Sequence, residues 1–179
     1  MNITNEDNME LMARYEDNHF DLAIVDPPYR DSNQPTKDMR ASGSMKSLEG
    51  RPTEDYFKEL LRVSKEQIVW GANNFQRPQF KGFFVWDKGI PFDFTMSMCE
   101  IASLSEGIGT ISKMWKFEKL LMTYAKEGDK ILDTHLGSGS IALACHNLKY
   151  DLTACELDKD YYDSAMKRIK RHQQQIQMF

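Results

Sequence analysis

Four residues with chemical potential follow a short apolar run near the start of the chain: Asp26, Pro27, Pro28 and Tyr29. The Asp26 carboxylate and the Pro27 carbonyl form a pair of hydrogen-bond acceptors, because Pro28 holds the residue before it extended and neither proline has an N–H to donate. The Tyr29 ring can stack on a base that has swung out of a nucleic-acid helix. The plainer interpretation is a strand that ends in a Pro-Pro turn, with Asp26 as the turn acid.

Two acceptors of this kind suit methyl transfer to the exocyclic nitrogen of adenine. The lone pair of that nitrogen is delocalised into the ring, so hydrogen bonds to its two N–H groups would favour the pyramidal form that attacks a methyl group. Catalysis would then depend on positioning and preorganised electrostatics, without a metal ion or a covalent intermediate.

A second candidate segment is "DTHLGSGS" at residues 133–140. Glycines allow close approach of a ligand, and a helix start offers free N–H groups. Glu156 comes seventeen residues after Gly139, where an acid accepts hydrogen bonds from ribose hydroxyls. The segment lacks both the GK[ST] ending of phosphate loops and the GxGxxG spacing of dinucleotide sites. We expect a positively charged adenosine compound, S-adenosylmethionine, or a glycine turn without a ligand.

Alternating strands and helices must position these residues. A long polar segment, 30–53, is expected to be a functional or mobile loop. Because strands alternate with helices, we predict a mostly parallel α/β sheet whose carboxyl edge holds both motifs. Apolar runs between breaks predict strands at 3–4, 21–26, 67–71, 82–87, 99–105, 130–133 and 150–156.

Helices are predicted between these strands from apolar spacing and capping residues. The second helix should begin after Thr53 and bury one face that carries Tyr56, Phe57, Leu60 and Leu61. The last is amphipathic, with Tyr162, Ala165, Met166 and Ile169 on its apolar face. The predicted helices are 9–15, one after Thr53, 113–126, 141–149 and one from Asp160 onward.

The length and composition of the chain limit the classes of protein to which it can belong. The chain has 179 residues with ordinary globular composition, which predicts one domain able to bury a core. Its three cysteines, Cys99, Cys145 and Cys155, lack the spacing of a disulfide framework or a zinc site, so we expect reduced thiols. A polar start and the lack of a long apolar run predict a cytoplasmic protein without signal peptide or membrane span.

The net charge of −4 is not typical of a protein that coats nucleic acid. Local basic clusters can still bind it, because binding depends on where the charge lies. One cluster is "MKRIKRH" at 166–172, which is equally compatible with a solvated helix face. The other cluster contains Lys37, Arg40, Lys46 and Arg51.

The motifs resemble the amino-methyltransferases of DNA, which methylate adenine N6 or cytosine N4. "DPPY" precedes "DTHLGSGS", which is the order of the permuted group of that family, and the similarity extends over nearly the whole chain. It implies a Rossmann-like S-adenosylmethionine-dependent methyltransferase fold, with a mostly parallel seven-stranded sheet and helices on both faces. It also implies a single domain over 1–179 and, because family members use DPPY mainly for adenine, methylation of adenine N6 in DNA.

The resemblance assigns roles residue by residue. Asp26, Pro27, Pro28 and Tyr29 take the catalytic positions. Asp7, in "NEDNMELM", matches the acid that contacts the cofactor adenine, and the remaining matches lie in or near the glycine segment. The implied cofactor-binding residues are Asp7, Asp26, Lys113, Asp133, Thr134, His135, Gly137, Ser138, Gly139, Ser140, Glu156 and Leu157.

Three departures from the family pattern are visible. Thr134 and His135 replace a Pro-Phe pair and Ser140 replaces a threonine, although the His135 ring can still pack on the cofactor. The family's H-P-T-x-K-P segment is missing, and only Lys113 could supply its lysine. The target-recognition region is reduced to 106–112, so specificity would come from the 30–53 loop or a second subunit, or be lax, or the sequence is a shortened form.

Alternatives remain open at this point. One is methylation of RNA or of a protein glutamine, which uses similar [N/D]PP[Y/F] motifs. Another is a catalytically weak or non-catalytic subunit, suggested by the short recognition region and the altered lysine segment. The expected partners are DNA and, by resemblance, a second copy of the chain as a homodimer, with no membrane and no metal.

Overall fold

The computed structural model describes residues 1–28, 50–75, 81–87, 99–108, 111–114 and 117–176. Tyr29 lies outside these ranges, so its predicted stacking role stays a prediction. Most of the 30–53 loop also lies outside them, including Lys37, Arg40 and Lys46. Its last part, from Gly50 to Thr53, is described.

Eight strands form one sheet in the described part of the chain, in the order β1-β8-β7-β2-β3-β5-β4-β6. All neighbours are parallel except that β5 is antiparallel to both β3 and β4. The predicted fold class is thus confirmed, with one strand more than the seven expected. The strands are β1 Asn2–Thr4, β2 Phe20–Val25, β3 Ser64–Trp70, β4 Gly82–Asp87, β5 Cys99–Leu104, β6 Ile111–Met114, β7 Lys130–Asp133 and β8 Asp151–Cys155.

Helices cover both faces of this sheet. Along β2, Leu22 and Ile24 belong to one apolar cluster, whereas Ala23 and Val25 belong to the other, as the two-residue period of a strand requires. The first cluster packs under α3, α4 and α5 and the second under α1 and α2. The helices are α1 Asn8–Met12, α2 Glu54–Val63, α3 Phe117–Tyr124, α4 Ser140–Leu148 and α5 Lys159–Ile176, and a short 3-10 turn spans Ala72–Asn74.

Helix α2 follows its predicted capping signal closely. The Thr53 hydroxyl accepts a hydrogen bond from the Tyr56 N–H at 3.3 Å, which satisfies one of the unpaired donors of the first turn. Tyr56, Phe57 and Leu60 are buried as predicted, but Leu61 is 42% exposed. The burial of Val63 instead shows that the inward face continues at the i+3 and i+4 positions.

The helix predicted at 113–126 was wrong at its start. Residues Ile111–Met114 form β6, which pairs in parallel with β4, and α3 begins only at Phe117. β6 is the additional, eighth strand of the sheet, and the sequence pattern did not predict it. Its pairing joins residues that are far apart in the chain, so the local apolar spacing that indicated a helix carried no information about it.

None of the helices in the described ranges is long and apolar enough to span a bilayer. Cys145 and Cys155 are buried thiols, and Cys99 is exposed. Burial raises the pKa of the Cys145 thiol to about 12, so this thiol stays protonated at neutral pH.

Candidate active site

The two chemical motifs meet at the carboxyl edge of the sheet. Asp26 directly follows β2 and Asp133 ends β7, and these strands are parallel neighbours through Leu22–Ile131 and Ala23–Leu132. Asp26 is exposed, whereas Asp133 is buried. The edge therefore places one accessible carboxylate beside one that is shielded from water.

Two cavities open at this edge, and His135 borders both of them. The smaller, of about 140 Å³, is lined by Asp26, Asp133 and Trp70 together with the first part of the glycine turn. The larger, of about 560 Å³, extends over Thr134 toward β8. The larger cavity is lined, among others, by Asp7, Pro28, Arg51, Tyr56, Glu156 and Leu157.

Asp133 is one of two buried acids among the described residues of the site, the other being Glu156. Its Oδ1 accepts a hydrogen bond from the His135 backbone N–H at 2.9 Å. Burial nevertheless raises its pKa to about 7, and the nearby charges of Asp26 and Glu156 act in the same direction. Asp133 thus holds a proton over part of the neutral range and limits the negative charge that accumulates beside Asp26.

Glu156 holds the glycine turn against the end of β8. Its two carboxylate oxygens accept hydrogen bonds from the backbone N–H of Gly137 at 2.9 Å and of Asp158 at 3.0 Å. Burial raises the pKa of this carboxyl, and the two N–H donors partly offset the shift. Since each carboxylate oxygen has a second lone pair, Glu156 can hold the turn and still accept from a ligand hydroxyl.

The two glycines of the turn, Gly137 and Gly139, have different surroundings. Gly137 and Gly139 both have left-handed backbone, with φ of 53° and 75°. A Cβ on Gly139 would lie 3.3 Å from Ala165 Cβ and from Ile169 Cδ1, so this glycine is required by the packing of α5. A Cβ on Gly137 would meet nothing closer than the His135 carbonyl oxygen at 3.7 Å, and Gly137 lines the smaller cavity. Of the pair, Gly137 is the one placed to approach a ligand.

An arginine that the motifs did not predict closes the outer side of the turn. Arg168 on α5 donates from Nη1 to the Ser138 carbonyl oxygen at 2.8 Å and to Ser140 Oγ at 3.1 Å. The two serine hydroxyls are also within 3.0 Å of each other. The only sequence signal for this contact was the basic stretch 166–172, whose pattern does not tell which residue contacts the turn.

A chain of hydrogen bonds crosses the wall of the larger cavity. His135 Nδ1 lies 2.9 Å from Thr134 Oγ1, which lies 2.7 Å from the hydroxyl of Tyr56. On the other side of the ring, Nε2 is 3.1 Å from the amide nitrogen of Asn8. Burial lowers the pKa of His135 to about 4, so the ring is neutral at physiological pH. Neither Asn8 nor Tyr56 was predicted as a site residue, and Tyr56 was predicted only as a core residue of α2.

The remaining predicted cofactor-binding residues, Asp7, Leu157 and Lys113, lie in different parts of the fold. Asp7 caps α1, with its Oδ1 accepting from the Met9 N–H at 2.8 Å, and it also lines the larger cavity. Leu157 lines the same cavity and is 67% exposed. Lys113 lies in β6 at the sheet edge, separated from β2 by three strands. The sheet therefore places the Lys113 backbone at a distance from Asp26 and Asp133, which lie at the ends of the neighbouring strands β2 and β7.

The fold is similar to that of solved structures that include a DNA methyltransferase, and the similarity covers nearly the whole chain. M1.HpyAVI is 17% identical over 94% of this chain and 98% of that chain, with a TM-score of 0.65. Its complex with SAM is 18% identical over 93% and 97%, with a TM-score of 0.63. The cytosine-N4-specific PvuII DNA methyltransferase is 10% identical over 95% and 90%, with a TM-score of 0.64.

The family match is more specific and covers a shorter part of the chain. Residues 117–167, from α3 through the first half of α5, match the N6/N4 methyltransferase family model, described as DNA methylase. The match confirms the resemblance to this family over the glycine segment and its flanking helices. No curated protein matches the chain significantly.

Proposed function

We propose that the chain is an S-adenosylmethionine-dependent methyltransferase acting on the N6 amino group of adenine in DNA. The observation that carries the proposal is the position of Asp26. Its exposed carboxylate borders one cavity at the sheet edge, and His135 forms a wall common to that cavity and the larger one. A methyl acceptor held by Asp26 and a cofactor in the larger cavity would thus be adjacent.

The larger cavity fits a cationic adenosine compound by the chemistry of its lining. Acidic groups predominate there, with Asp7, Glu156 and Asp158 supplying oxygen acceptors for hydroxyl and ammonium groups. The exposed side chain of Leu157 offers apolar surface for a flat ring. When bound, S-adenosylmethionine would supply a methyl group on a positively charged sulfur.

The chain's own residues would orient the accepting nitrogen. Asp26 would accept a hydrogen bond from one amino N–H, and the carbonyl of Pro27 would accept from the other. Asp133, being protonated over part of the neutral range, limits the negative charge beside Asp26. The described part of the chain contains no cluster of ligands suited to a metal ion, and the proposal requires none.

Adenine is proposed over cytosine because of the motif "DPPY", which the resemblance associates mainly with adenine. The cytosine-N4-specific PvuII enzyme has a similar fold, so the fold supports either base. The proposal includes a single methyltransferase domain over 1–179 in the cytoplasm, with 106–112 as the reduced recognition region. It also includes a homodimer, which sedimentation at several concentrations would test.

One observation favours the alternative of a non-catalytic partner subunit. The backbone of Lys113, the proposed stand-in for a family lysine, is separated from β2 by three intervening strands. A chain without that lysine contact would retain the fold and lose S-adenosylmethionine binding. Calorimetric titration of the wild-type chain with S-adenosylmethionine distinguishes the two, because a partner subunit of this kind would show no saturable binding.

The decisive test supplies methyl-labelled S-adenosylmethionine with mixed-sequence duplex DNA, single-stranded DNA, RNA and protein, followed by nucleoside and amino-acid analysis. We expect label in N6-methyladenine of DNA. Asp26→Ala should reduce transfer by about a hundredfold or more, since it removes a preorganised acceptor at the reacting group, while S-adenosylmethionine binding persists.

Glu16→Ala is the matched control, because Glu16 is an exposed acid that precedes β2 at the opposite end of that strand. It should transfer methyl groups at the wild-type rate. Activity that survives in Asp26→Ala would rule out Asp26 as the acceptor. Label found only in RNA, in protein or in N4-methylcytosine would replace the proposed substrate.

A further inference from the structure

The hydrogen-bond chain across the larger cavity joins three separate elements. Asn8 begins α1, Thr134 and His135 follow β7, and Tyr56 lies in the first turn of α2. Thr134 and Tyr56 are each only 2% exposed, so their hydroxyl groups are shielded from bulk water. Polar groups buried to this degree depend on one another for hydrogen bonds.

The amide of Asn8 gives the chain a direction. Its nitrogen carries only donors, so His135 Nε2 must accept across their 3.1 Å contact, and Nδ1 must carry the ring proton. Nδ1 then donates to Thr134 Oγ1 at 2.9 Å. The single hydroxyl proton of Thr134 is left for the Tyr56 oxygen at 2.7 Å, which gives each of the three contacts one proton.

The ring of Tyr56 supports the same orientation. It meets the His135 ring edge to face, with centroids 5.4 Å apart and planes at 70°. Tyr56 therefore contacts His135 twice, through its ring and through the Thr134 hydroxyl. His135 in turn separates the two cavities, so its orientation sets the shape of both.

We propose that Tyr56 is a positioning residue of the cofactor site, whose hydroxyl engages Thr134 and thereby fixes His135 with Nδ1 protonated and Nε2 accepting from Asn8. The inference rests on the proposed function for the identity of the cofactor. It adds a residue from α2, the helix that follows the long 30–53 segment, to a site otherwise built from the ends of β7 and β8 and from α1. Thr134 and His135, which depart from the family's Pro-Phe pair, thereby acquire a common role.

The state of His135 can be tested without any cofactor. The chain has four histidines, and nitrogen-15 spectra of histidine-labelled protein report which ring nitrogen carries the proton in each. His135→Gln assigns the relevant signals. We expect a single Nδ1-protonated form of His135 in the wild type. In Tyr56→Phe the Thr134 hydroxyl is released and can donate to Nδ1, so a mixture of both tautomers should appear.

Cofactor binding provides the second measurement. By calorimetric titration, Tyr56→Phe should bind S-adenosylmethionine about three- to tenfold more weakly, the effect of losing one hydrogen-bonded contact that orients the site. Tyr150→Phe is the matched control, since it also removes a hydrogen-bonded hydroxyl, which donates to the Ala125 carbonyl oxygen at 3.1 Å. Tyr150 does not line the larger cavity in the described structure, so this variant should bind with wild-type affinity.

A double-mutant cycle tests whether Tyr56 acts through Thr134. Thr134→Val should weaken binding to a similar degree, and Tyr56→Phe should add little further loss to it. Fully additive losses, wild-type affinity in Tyr56→Phe, or an unchanged His135 tautomer in that variant would each overturn the inference. Failure of the proposed function is recognised separately, as a wild-type chain that does not bind S-adenosylmethionine while the tautomer still responds to Tyr56→Phe.

Discussion

Asp26 and Asp133 share one sheet edge but differ in their access to water. Asp26 is exposed, whereas Asp133 is 5% exposed and has a pKa raised to about 7 by burial. Two carboxylates that both ionised here would repel each other and any further acid, including Glu156. The environment therefore divides the two side chains between an exposed acceptor and a shielded, partly protonated support.

This difference predicts a pH-dependent cost in stability. In the unfolded chain Asp133 ionises near its ordinary value of about 4. In the folded chain it holds its proton up to about 7. The folded state thus binds more protons between these values, so the contribution of Asp133 to stability is fully present below the lower pKa and is lost as the pH rises through the upper one.

Asp133→Asn should remove this loss, because the asparagine oxygen can still accept from the His135 N–H without ionising. As the pH rises from 5 to 8, the free energy of unfolding of the variant should increase by about 1–3 kcal/mol relative to that of the wild type. Urea denaturation at a series of pH values measures it. The other titrating groups cancel in the difference between the two proteins, so parallel pH profiles would refute the assignment.

Residue identities in the site were predictable where a motif encodes them locally. Asp26, Asp133, Glu156 and Gly137 lie at the sheet edge because each ends or follows a strand that the sequence pattern located. Tyr56, Asn8 and Arg168 were not predictable as site residues, since their contacts reach across 78, 127 and 30 positions of the chain respectively. Only tertiary packing brings such pairs together.

At the level of elements, the turn between β7 and α4 is held from two sides. Glu156 at the end of β8 binds the Gly137 N–H, and Arg168 of α5 binds the Ser138 carbonyl. Helix α5 also packs against Gly139 through Ala165 and Ile169. The loop that would contact the cofactor is thus part of the packing between β8 and α5.

Matched glycine substitutions separate these roles. Gly139→Ala should lower the free energy of unfolding by about 2–3 kcal/mol, because it adds a crowded contact with α5 to the cost of a left-handed alanine. Gly137→Ala should cost only about 1–2 kcal/mol, since its Cβ would have space, but it should weaken S-adenosylmethionine binding more. Urea denaturation and calorimetric titration of both variants provide the comparison. A larger stability loss in Gly137→Ala would contradict the packing assigned to Gly139.

The elements also show where sequence patterns stop being informative. Strands flanked by clear breaks, such as β2 and β8, were predicted to within one residue at each end. Strand β6 was missed because its residues, Ile111–Met114, overlap a helical spacing of apolar side chains. The antiparallel position of β5 between β3 and β4 was likewise not encoded locally, since sheet order depends on how distant strands pair.

For the whole molecule, the net charge of −4 constrains how DNA would be held. An acidic chain must bind phosphates through local basic groups, so a small number of phosphate contacts would contribute most of the affinity. The cofactor cavity, in contrast, would bind its ligand through contacts shielded from solvent ions. The two ligands should therefore respond differently to salt.

Raising NaCl from about 50 to about 200 mM should weaken binding of a mixed-sequence duplex about tenfold or more, as phosphate contacts exchange with salt ions. S-adenosylmethionine affinity should change less than about twofold over the same range. Fluorescence anisotropy of labelled DNA and calorimetric titration of the cofactor measure the two. DNA binding that is insensitive to salt would contradict recognition through phosphates.

The sheet joins strands that are synthesised far apart in time. Strand β2 pairs with β7 through residues more than a hundred positions apart, and β1 pairs with β8 through Ile3 and Ala154. A nascent chain can pair β2 with β3 early, but the other edge of β2 stays open until β7 leaves the ribosome. Open strand edges attract chaperones and other unfinished chains. The order of the strands thus means that the proposed catalytic aspartate is made early, whereas the strand that carries it is paired on both sides only late in synthesis.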